Sequence, residues 1–304
     1  MMKVAIGSSS FGAADPLPLQ MLADAGMQIV PNPYGRRLSE NEVIEHLNGV
    51  DGLIAGLEPL TQQVFEHCPH LRAIARVGIG MDNVDLEAAQ AKGIKVSNTP
   101  DGPTEAVAEM ALAALLAIGR KIVSSNETMH NNQWEKSVGF GLSGITVAVI
   151  GYGRIGRRFA DHLRYFGVNI LVVDPFITLD LLSQGETQVD LQEALAKADV
   201  VSLHVSGSEE LLSEDVFQAM KPGMVLLNSS RGAVINEKAL MAALDQGIVS
   251  DAWLDVFWEE PYQGPLTAYK QVLLTPHTST YSRQCRLAME TEAVTNLLRD
   301  LESL

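Results

Sequence analysis

Three polar side chains follow apolar segments in the last third of the sequence, and together they could bind a carboxylate and move a proton. Arg231 lies in NSSRG, Glu260 in LDVFWEEP and His277 in LLTPH. An arginine fork binds a carboxylate through two parallel hydrogen bonds, and a histidine held by a carboxylate is a general acid or base. Each residue alone also has a structural explanation: a loop arginine, a surface acid and a turn histidine. The combination favours catalysis.

A glycine-rich turn in the middle of the chain is typical of dinucleotide binding. TVAVI is followed at once by Gly151, Gly153 and Gly156 in the spacing G-x-G-x-x-G, and a helical pattern runs from there to Phe166. Glycines in this context allow a tight turn and close approach of the backbone to a pyrophosphate at a helix N-terminus. The alternative is a glycine turn without a ligand.

Asp174 ends the next apolar segment, ILVVD, about 20 residues beyond the last glycine. This is the spacing of a carboxylate that accepts hydrogen bonds from a ribose diol. No Arg or Lys follows in residues 175–177 to bind a 2′-phosphate. The sequence therefore predicts NAD rather than NADP as the cofactor.

The segments that must position these residues alternate between short β-branched runs and helical patterns, which is the form of βαβ units in a parallel sheet. We expect two sets of strands. The first set is Lys3–Ile6, Gln28–Val30, Gly52–Ala55, Ala73–Val77 and Lys95–Ser97. The second set begins at about Thr146 with TVAVI, ILVVD, DVVSLHV, GMVLLNSS, SDAWLDV and VLLTPH. The fold class is therefore α/β, with two doubly wound parallel-sheet domains.

Three segments lie outside these sets. The stretch from Thr104, TEAVAEMALAALLAIGRK, is apolar on more than one helix face, so we expect it to be buried between domains or between subunits. Ser124–Ser143 has no clear period and is predicted to be a connecting loop. Ser282–Leu304 is predicted to be helical.

Composition excludes several classes of protein. The chain has 304 residues, of which 46% are hydrophobic and 19% charged, so a folded protein is expected. A net charge of −15 disfavours nucleic acid as a partner, and no apolar run approaches the length of a membrane span. Two distant cysteines and the lack of a signal-type N-terminus predict a cytoplasmic protein. The HCPH segment has no second ligand pair nearby, so no metal site is predicted.

Ordered motifs along nearly the whole chain resemble the D-isomer-specific 2-hydroxyacid dehydrogenases. They are ARVGIGMDNVD, NTPDGPTEAVAE, VIGYGRIGRRFADHLRYFGVNILVVDP, MKPGMVLLNSSRGAVINEKAL, LDVFWEEP and LLTPH. NPYGRRLSENE and IAGLEPLT are most similar to phosphoglycerate dehydrogenase-like members without a regulatory domain. The resemblance implies a flavodoxin-like substrate domain, residues 1–98 with 283–304, and a Rossmann NAD-binding domain, residues 99–282.

The resemblance also implies a role for each catalytic residue. His277 would donate a proton to the keto oxygen during reduction and accept it during oxidation, with Glu260 hydrogen-bonded to its ring. Arg231 would bind the substrate carboxylate and polarise the carbonyl. The backbone N–H groups of Ile79 and Gly80 would bind the same carboxylate.

Further residues would contact the cofactor. Asp255 would bind the nicotinamide amide, and Thr104, Arg154 and Ile155 would lie along the phosphates and the nicotinamide half, close to His277. The helix from Thr104 would form the interface of a homodimer.

The implied activity is hydride transfer between NAD(H) and a D-2-hydroxy acid or 2-oxo acid. Phosphoglycerate dehydrogenase-like activity is the first expectation, and reduction of glyoxylate or hydroxypyruvate is the alternative. A phosphorylated substrate would need basic residues from the first domain, where Gly56-Leu57-Glu58 supplies none and Arg36, Arg37 and Arg76 are the candidates. A protein that senses NAD(H) by binding alone is an alternative from another class.

Overall fold

The structure is a computed structural model, and it describes residues 1–303. The strands, in chain order, are β1 (Lys3–Ile6), β2 (Gln28–Val30), β3 (Gly52–Ala55), β4 (Ala73–Arg76), β5 (Lys95–Asn98), β6 (Thr146–Ile150), β7 (Asn169–Val173), β8 (Glu186–Gln188), β9 (Val200–Leu203), β10 (Met224–Asn228), β11 (Val249–Leu254) and β12 (Val272–Leu274). The helices are α1 (Leu17–Asp24), α2 (Glu40–His46), α3 (Gln62–His67), α4 (Leu86–Ala91), α5 (Pro103–Gly119), α6 (Ile122–His130), α7 (Arg154–Arg164), α8 (Leu191–Lys197), α9 (Glu214–Gln218), α10 (Glu237–Asp245) and α11 (Arg283–Glu302).

The chain divides into two compact units. Unit 1 consists of Met1–Pro103 and Thr280–Leu304, and unit 2 consists of Thr104–Ser279. Each unit contains one parallel sheet, so the predicted fold class is confirmed. No helix among the described residues is both long and apolar enough to cross a bilayer.

Unit 1 has a five-stranded sheet in the order β2-β1-β3-β4-β5, which is the strand order of flavodoxin-like folds. Two of its short helices, α3 and α4, begin at polar caps: Thr61 accepts a hydrogen bond from Val64 N, and Asp85 accepts one from Ala88 N. These caps fix where the chain turns from the carboxyl end of a strand back across the sheet.

Unit 2 has a seven-stranded parallel sheet in the order β12-β11-β10-β9-β6-β7-β8. The order reverses between β6 and β9, and open α/β sheets bind ligands at the carboxyl ends of strands beside such a switch point. Alternate residues of β6 enter different apolar clusters: Val147 and Val149 enter one, and Ala148 and Ile150 enter the other. Both faces of the central part of the sheet are therefore covered, which explains why its central strands read as continuous apolar runs.

The prediction of a connecting loop at Ser124–Ser143 is wrong in its first part, because α6 covers Ile122–His130. None of the α6 residues is buried. A helix without a buried face has no apolar period, so the pattern used to predict helices could not detect it. Lys121, in a left-handed conformation (φ 52°), separates α6 from α5.

Candidate active site

Three neighbouring strands of unit 2 bring the predicted catalytic segments to one edge of the sheet. Asn228, the last residue of β10, is in register with Leu254 of β11, which is in register with Leu274 of β12. The segments that follow these strands contain the predicted arginine, carboxylates and histidine. Because the strands are parallel, these segments emerge side by side.

His277 and Glu260 form a hydrogen-bonded pair. His277 Nδ1 lies 2.8 Å from Oε2 of Glu260, and the side chains are 36% and 24% exposed. The other carboxylate oxygen, Oε1, accepts a hydrogen bond from the backbone N–H of Phe257 at 3.2 Å. With Nδ1 engaged in this way, Nε2 is the ring nitrogen that can exchange a proton with a substrate.

Asp255 fixes the turn that contains His277. Its carboxylate is 1% exposed, and it accepts hydrogen bonds from Thr275 Oγ1 (2.6 Å), Thr278 N (2.9 Å), Ser279 N (2.9 Å) and Ser279 Oγ (2.5 Å). These bonds flank His277, whose φ of 52° is rare for a residue other than glycine. Since a carboxylate has about four acceptor positions, those of Asp255 are filled from within the protein.

Arg231 lies in a turn that is closed by its neighbours. Asn228 Nδ2 donates to the carbonyl of Arg231 at 2.9 Å, and Oδ1 of the same side chain accepts from Ser230 N at 3.0 Å. A Cβ at Gly232 would lie 2.1 Å from the carbonyl carbon of Phe257, so only glycine permits this approach. The turn of Arg231 is thereby packed against the segment that leads to Glu260.

The glycine turn lies at the switch point of unit 2, between β6 and α7. Gly151 has a φ of 88°, and a Cβ there would lie 2.6 Å from the carbonyl oxygen of His204. A Cβ at Gly156 would lie 2.0 Å from the carbonyl oxygen of Gly151. The position of a Cβ at Gly153, by contrast, has no atom within 4 Å. The outer glycines serve packing, whereas Gly153 borders open space at the helix N-terminus.

His204 follows β9 beside this turn. Its Nε2 lies 2.8 Å from Ser202 Oγ, and burial lowers the pKa of the imidazole to about 4. The ring is therefore neutral near neutral pH and adds no charge beside the glycine turn.

Asp174 follows β7 and contacts the glycine turn directly. Oδ2 accepts a hydrogen bond from Tyr152 N at 2.7 Å, and Oδ1 accepts one from Phe176 N at 2.9 Å. Two of the carboxylate's acceptor positions are thus used within the described chain, which leaves two for a ligand. A ribose diol offers two hydroxyl donors, so the carboxylate fits it.

The predicted carboxylate-binding loop belongs to unit 1 and follows β4. Gly78 N donates to Thr99 Oγ1 at 2.7 Å, and Gly78 O accepts from Thr99 N at 3.1 Å. The carbonyl of Ile79 accepts from Asn98 Nδ2 at 2.8 Å. The loop at Ile79 and Gly80 is therefore held from β5 before any ligand is bound.

The remaining predicted residues lie at helix starts. Thr104 is in the first turn of α5, and Arg154 and Ile155 begin α7 directly after the glycine turn. Within residues 1–303, no group of three or more His, Cys, Asp or Glu side chains is placed to hold a metal ion.

Comparisons with known proteins identify the family to which this chain belongs. Residues 112–279, more than half of the chain, match the family model of the D-isomer specific 2-hydroxyacid dehydrogenase NAD-binding domain. The chain belongs to the D-isomer specific 2-hydroxyacid dehydrogenase family. It is an NAD-dependent dehydrogenase that acts on CH–OH groups, as predicted.

The relatives have two activities in their names. Glyoxylate reductase of Thermococcus litoralis is 35% identical over 271 residues, covering 84% of this chain and 82% of that protein. Human D-3-phosphoglycerate dehydrogenase is 35% identical over 286 residues, covering 91% of this chain and 53% of that protein. This dehydrogenase therefore spans about half the length of the phosphoglycerate dehydrogenases.

Solved structures show the same fold. The TT0316 protein of Thermus thermophilus superposes with a TM-score of 0.90 at 33% identity, covering 99% of this chain and 97% of the other.

The residues of this dehydrogenase fit NAD. The open position at Gly153 leaves room for a pyrophosphate at the start of α7, and the two remaining acceptor positions of Asp174 suit a ribose diol. A 2′-phosphate would meet the Asp174 carboxylate. The geometry thus agrees with NAD as the cofactor of the family.

Sequence reasoning missed the residues that hold the functional ones in place. Thr275 lies in the LLTPH segment, and its hydroxyl links Asp255 to Trp253 Nε1, from which it accepts a hydrogen bond at 3.0 Å. Thr99 secures Gly78 from the neighbouring strand. The available signal in the sequence was a threonine near the end of a predicted strand. Its hydrogen-bond partner depends on the strand register, which a single sequence does not show.

Proposed function

We propose that this dehydrogenase interconverts a small 2-oxo acid and the D-2-hydroxy acid, with His277 as the residue that exchanges the proton. The observation that supports this most directly is the 2.8 Å contact between His277 Nδ1 and Glu260. The turn of His277 is also fixed by Asp255. Nε2 is then available to donate a proton to the substrate oxygen during reduction and to accept it during oxidation.

Glu260 stabilises the positively charged imidazolium of His277 and keeps the ring oriented. Arg231 binds the substrate carboxylate through its guanidinium. The role of the backbone N–H groups of Ile79 and Gly80 in unit 1 stays a prediction. When bound, the nicotinamide supplies or takes the hydride at the carbon that bears the oxygen. Asp255 acts as a positioning residue because its oxygens are already engaged. The contact with the nicotinamide amide that the resemblance implies stays a prediction.

We propose phosphoglycerate-type and glyoxylate-type substrates as the two classes to compare. The names of the relatives include both. The two classes can be separated by an assay that records the loss of NADH absorbance with each of four oxo acids. These are glyoxylate, hydroxypyruvate, pyruvate and 3-phosphohydroxypyruvate.

The test of the catalytic role is His277→Ala, with the exposed His70→Ala as the matched control. The His277 variant should lose about 10²-fold or more in kcat with an unchanged NADH dissociation constant. The control should behave as the unmodified enzyme. Full turnover by the His277 variant would refute the assignment.

We also propose that unit 1 is the substrate domain and that the enzyme is a homodimer. Large apolar side chains are exposed on and after α6, next to the apolar α5. They are Ile122 (55%), Val123 (53%), Met129 (52%), Trp134 (79%) and Val138 (96%). A second copy would cover them, and light scattering of the enzyme and of Trp134→Glu tests this. A cytoplasmic location is proposed because Cys68 and Cys285 are both free thiols.

A further inference from the structure

Tyr152, the second residue of the glycine turn, is tied to its surroundings at two points. Its backbone N–H donates to Asp174 Oδ2 at 2.7 Å. Its phenol donates to the carboxylate of Glu186, the first residue of β8. Tyr152 is 3% exposed and belongs to the apolar cluster that contains Phe159 and Leu163 of α7. This one residue therefore links the Asp174 carboxylate to the edge strand of unit 2.

The acceptor of the phenol is itself held in place. The side chain of Glu186 is 0% exposed. Its Oε2 accepts the bond from Tyr152 and a second one from Ser183 N at 2.8 Å, and its Oε1 accepts from Arg164 Nη2 at 3.0 Å. Burial and the Glu186 carboxylate raise the pKa of the phenol, so the phenol stays protonated and remains the donor. A buried carboxylate with three donors is a fixed acceptor for the far end of the tyrosine.

Strand β8 also contacts Asp174 directly. Gln188, the last residue of β8, is in register with Val172 of β7, and its Nε2 donates to the carbonyl of Asp174 at 3.0 Å. The backbone of Asp174 is thus held by Gln188, and its carboxylate is held through Tyr152. The bond from Tyr152 N decides which acceptor positions of the carboxylate stay open for a ligand.

We propose that Tyr152 and Glu186 are positioning residues for the cofactor, because their hydrogen bond holds Tyr152 N against Asp174 and so orients this carboxylate for the ribose diol. The inference goes beyond the proposed function, which concerns the oxo acid, and it rests on the assignment of Asp174 to the ribose. Without the phenol bond the tyrosine can shift together with its backbone N–H, and a displaced carboxylate makes weaker hydrogen bonds to the diol. NADPH should be affected much less, because its 2′-phosphate is repelled by the carboxylate in either orientation.

The test is Tyr152→Phe, which keeps the ring and removes only the phenol bond. Fluorescence titration should show an NADH dissociation constant that is about three- to tenfold higher, with a smaller change for NADPH, so the preference for NADH falls. A tyrosine that only stabilised the fold would lower the melting temperature and leave this preference unchanged. The matched control is Tyr269→Phe, which removes a tyrosine bond to a carboxylate elsewhere in unit 2, from the Tyr269 hydroxyl to Asp245 Oδ2 at 3.3 Å. Both dissociation constants should be unchanged in the control.

Two variants of the acceptor test the same bond from its other end. Glu186→Gln can keep an oxygen at the Oε2 position, where Tyr152 and Ser183 donate, so the preference for NADH should stay within about twofold of that of the unmodified enzyme. Glu186→Ala removes the acceptor and should reproduce the effect of Tyr152→Phe. Combining Glu186→Ala with Tyr152→Phe should shift the preference no further, because both changes remove one and the same bond.

An unchanged ratio of the two dissociation constants in Tyr152→Phe, or in Glu186→Ala should Tyr152→Phe not fold, would overturn the proposal. A Glu186→Gln variant that behaves as Glu186→Ala does would overturn it too, since the bond would then not be the cause. These titrations use no oxo acid, so their result is independent of the substrate and of His277. If Asp174→Ala also leaves NADH binding unchanged, the assignment of Asp174 to the ribose is refuted; if Asp174→Ala weakens it and Tyr152→Phe does not, only the role of Tyr152 is refuted.

Discussion

Removing the Asp174 carboxylate should weaken NADH binding and reduce the preference of the enzyme for NADH over NADPH. Two acceptor positions of Asp174 are taken by Tyr152 N and Phe176 N, so two remain for the ribose hydroxyls. A hydrogen bond to a charged group contributes about 1.5–3 kcal/mol. Because the carboxylate is half-exposed and exchanges these bonds with water, about 2 kcal/mol in total is a reasonable magnitude for Asp174→Ala.

That loss corresponds to a 10- to 100-fold rise in the NADH dissociation constant, since about 1.4 kcal/mol is a factor of ten. For NADPH the variant also removes the repulsion between a carboxylate and a phosphate, so the ratio of the two dissociation constants should shift by about 10². Fluorescence titration of both cofactors measures this shift.

Two further variants isolate the cause. Asp174→Asn keeps one acceptor for Tyr152 N but loses the charge, so its effect on NADH binding should be intermediate. Asp180→Ala removes an exposed acid of the same unit and should leave both cofactors unaffected. NADH affinity within twofold of the unmodified enzyme in Asp174→Ala, with an unchanged cofactor preference, would refute the assignment to the ribose.

Three other predictions follow from buried or paired charges. Glu260→Gln should lower kcat about 10²-fold without changing NADH affinity in a titration, because the contact with His277 loses its charge. Burial lowers the pKa of His204 to about 4, so the unfolded chain takes up a proton at this residue before the folded protein does. The free energy of unfolding should therefore fall by up to about 3 kcal/mol as the pH falls from about 6.5 to 4. In urea unfolding, His204→Gln should lack this part of the pH dependence. Glu290 (0% exposed) binds Arg286 Nη2 at 2.6 Å, and Glu290→Gln should lower the free energy of unfolding by about 3 kcal/mol, measured by urea unfolding, because the arginine loses its buried partner.

The central strands of unit 2 could be predicted from the sequence because they are buried on both faces, whereas the edge strand β8, which has no buried residue, was not predicted. TVAVI at β6 has no polar position, and the glycines that follow it are required by close contacts such as that of Gly156 with Gly151 O. The family, the fold class and NAD as the cofactor are confirmed. The roles of individual site residues and the domain boundaries remain predictions.

What the sequence could not show depends on strand register or on the absence of a buried face. The segments that contain Glu58 and Arg76 come side by side only because β3 and β4 pair, with Ala55 opposite Arg76. In the sequence, Gly56-Leu57-Glu58 indicated only that this segment has no basic residue for a phosphorylated substrate. Helix α6 was missed because it buries no side chain, so an apolar period does not form.

The carboxylates at the strand ends differ in how many acceptor positions the protein already uses, and this difference separates their roles. Asp255 has four donors around it and is buried, so it can hold a turn but has little capacity for a ligand. Asp174 has two and is half-exposed, so it can bind a diol. Glu58 is buried and accepts backbone hydrogen bonds from Gly56 and from its own N–H, and burial raises the pKa of its carboxyl, so it is the least suited of the three to bind a ligand as a charged group.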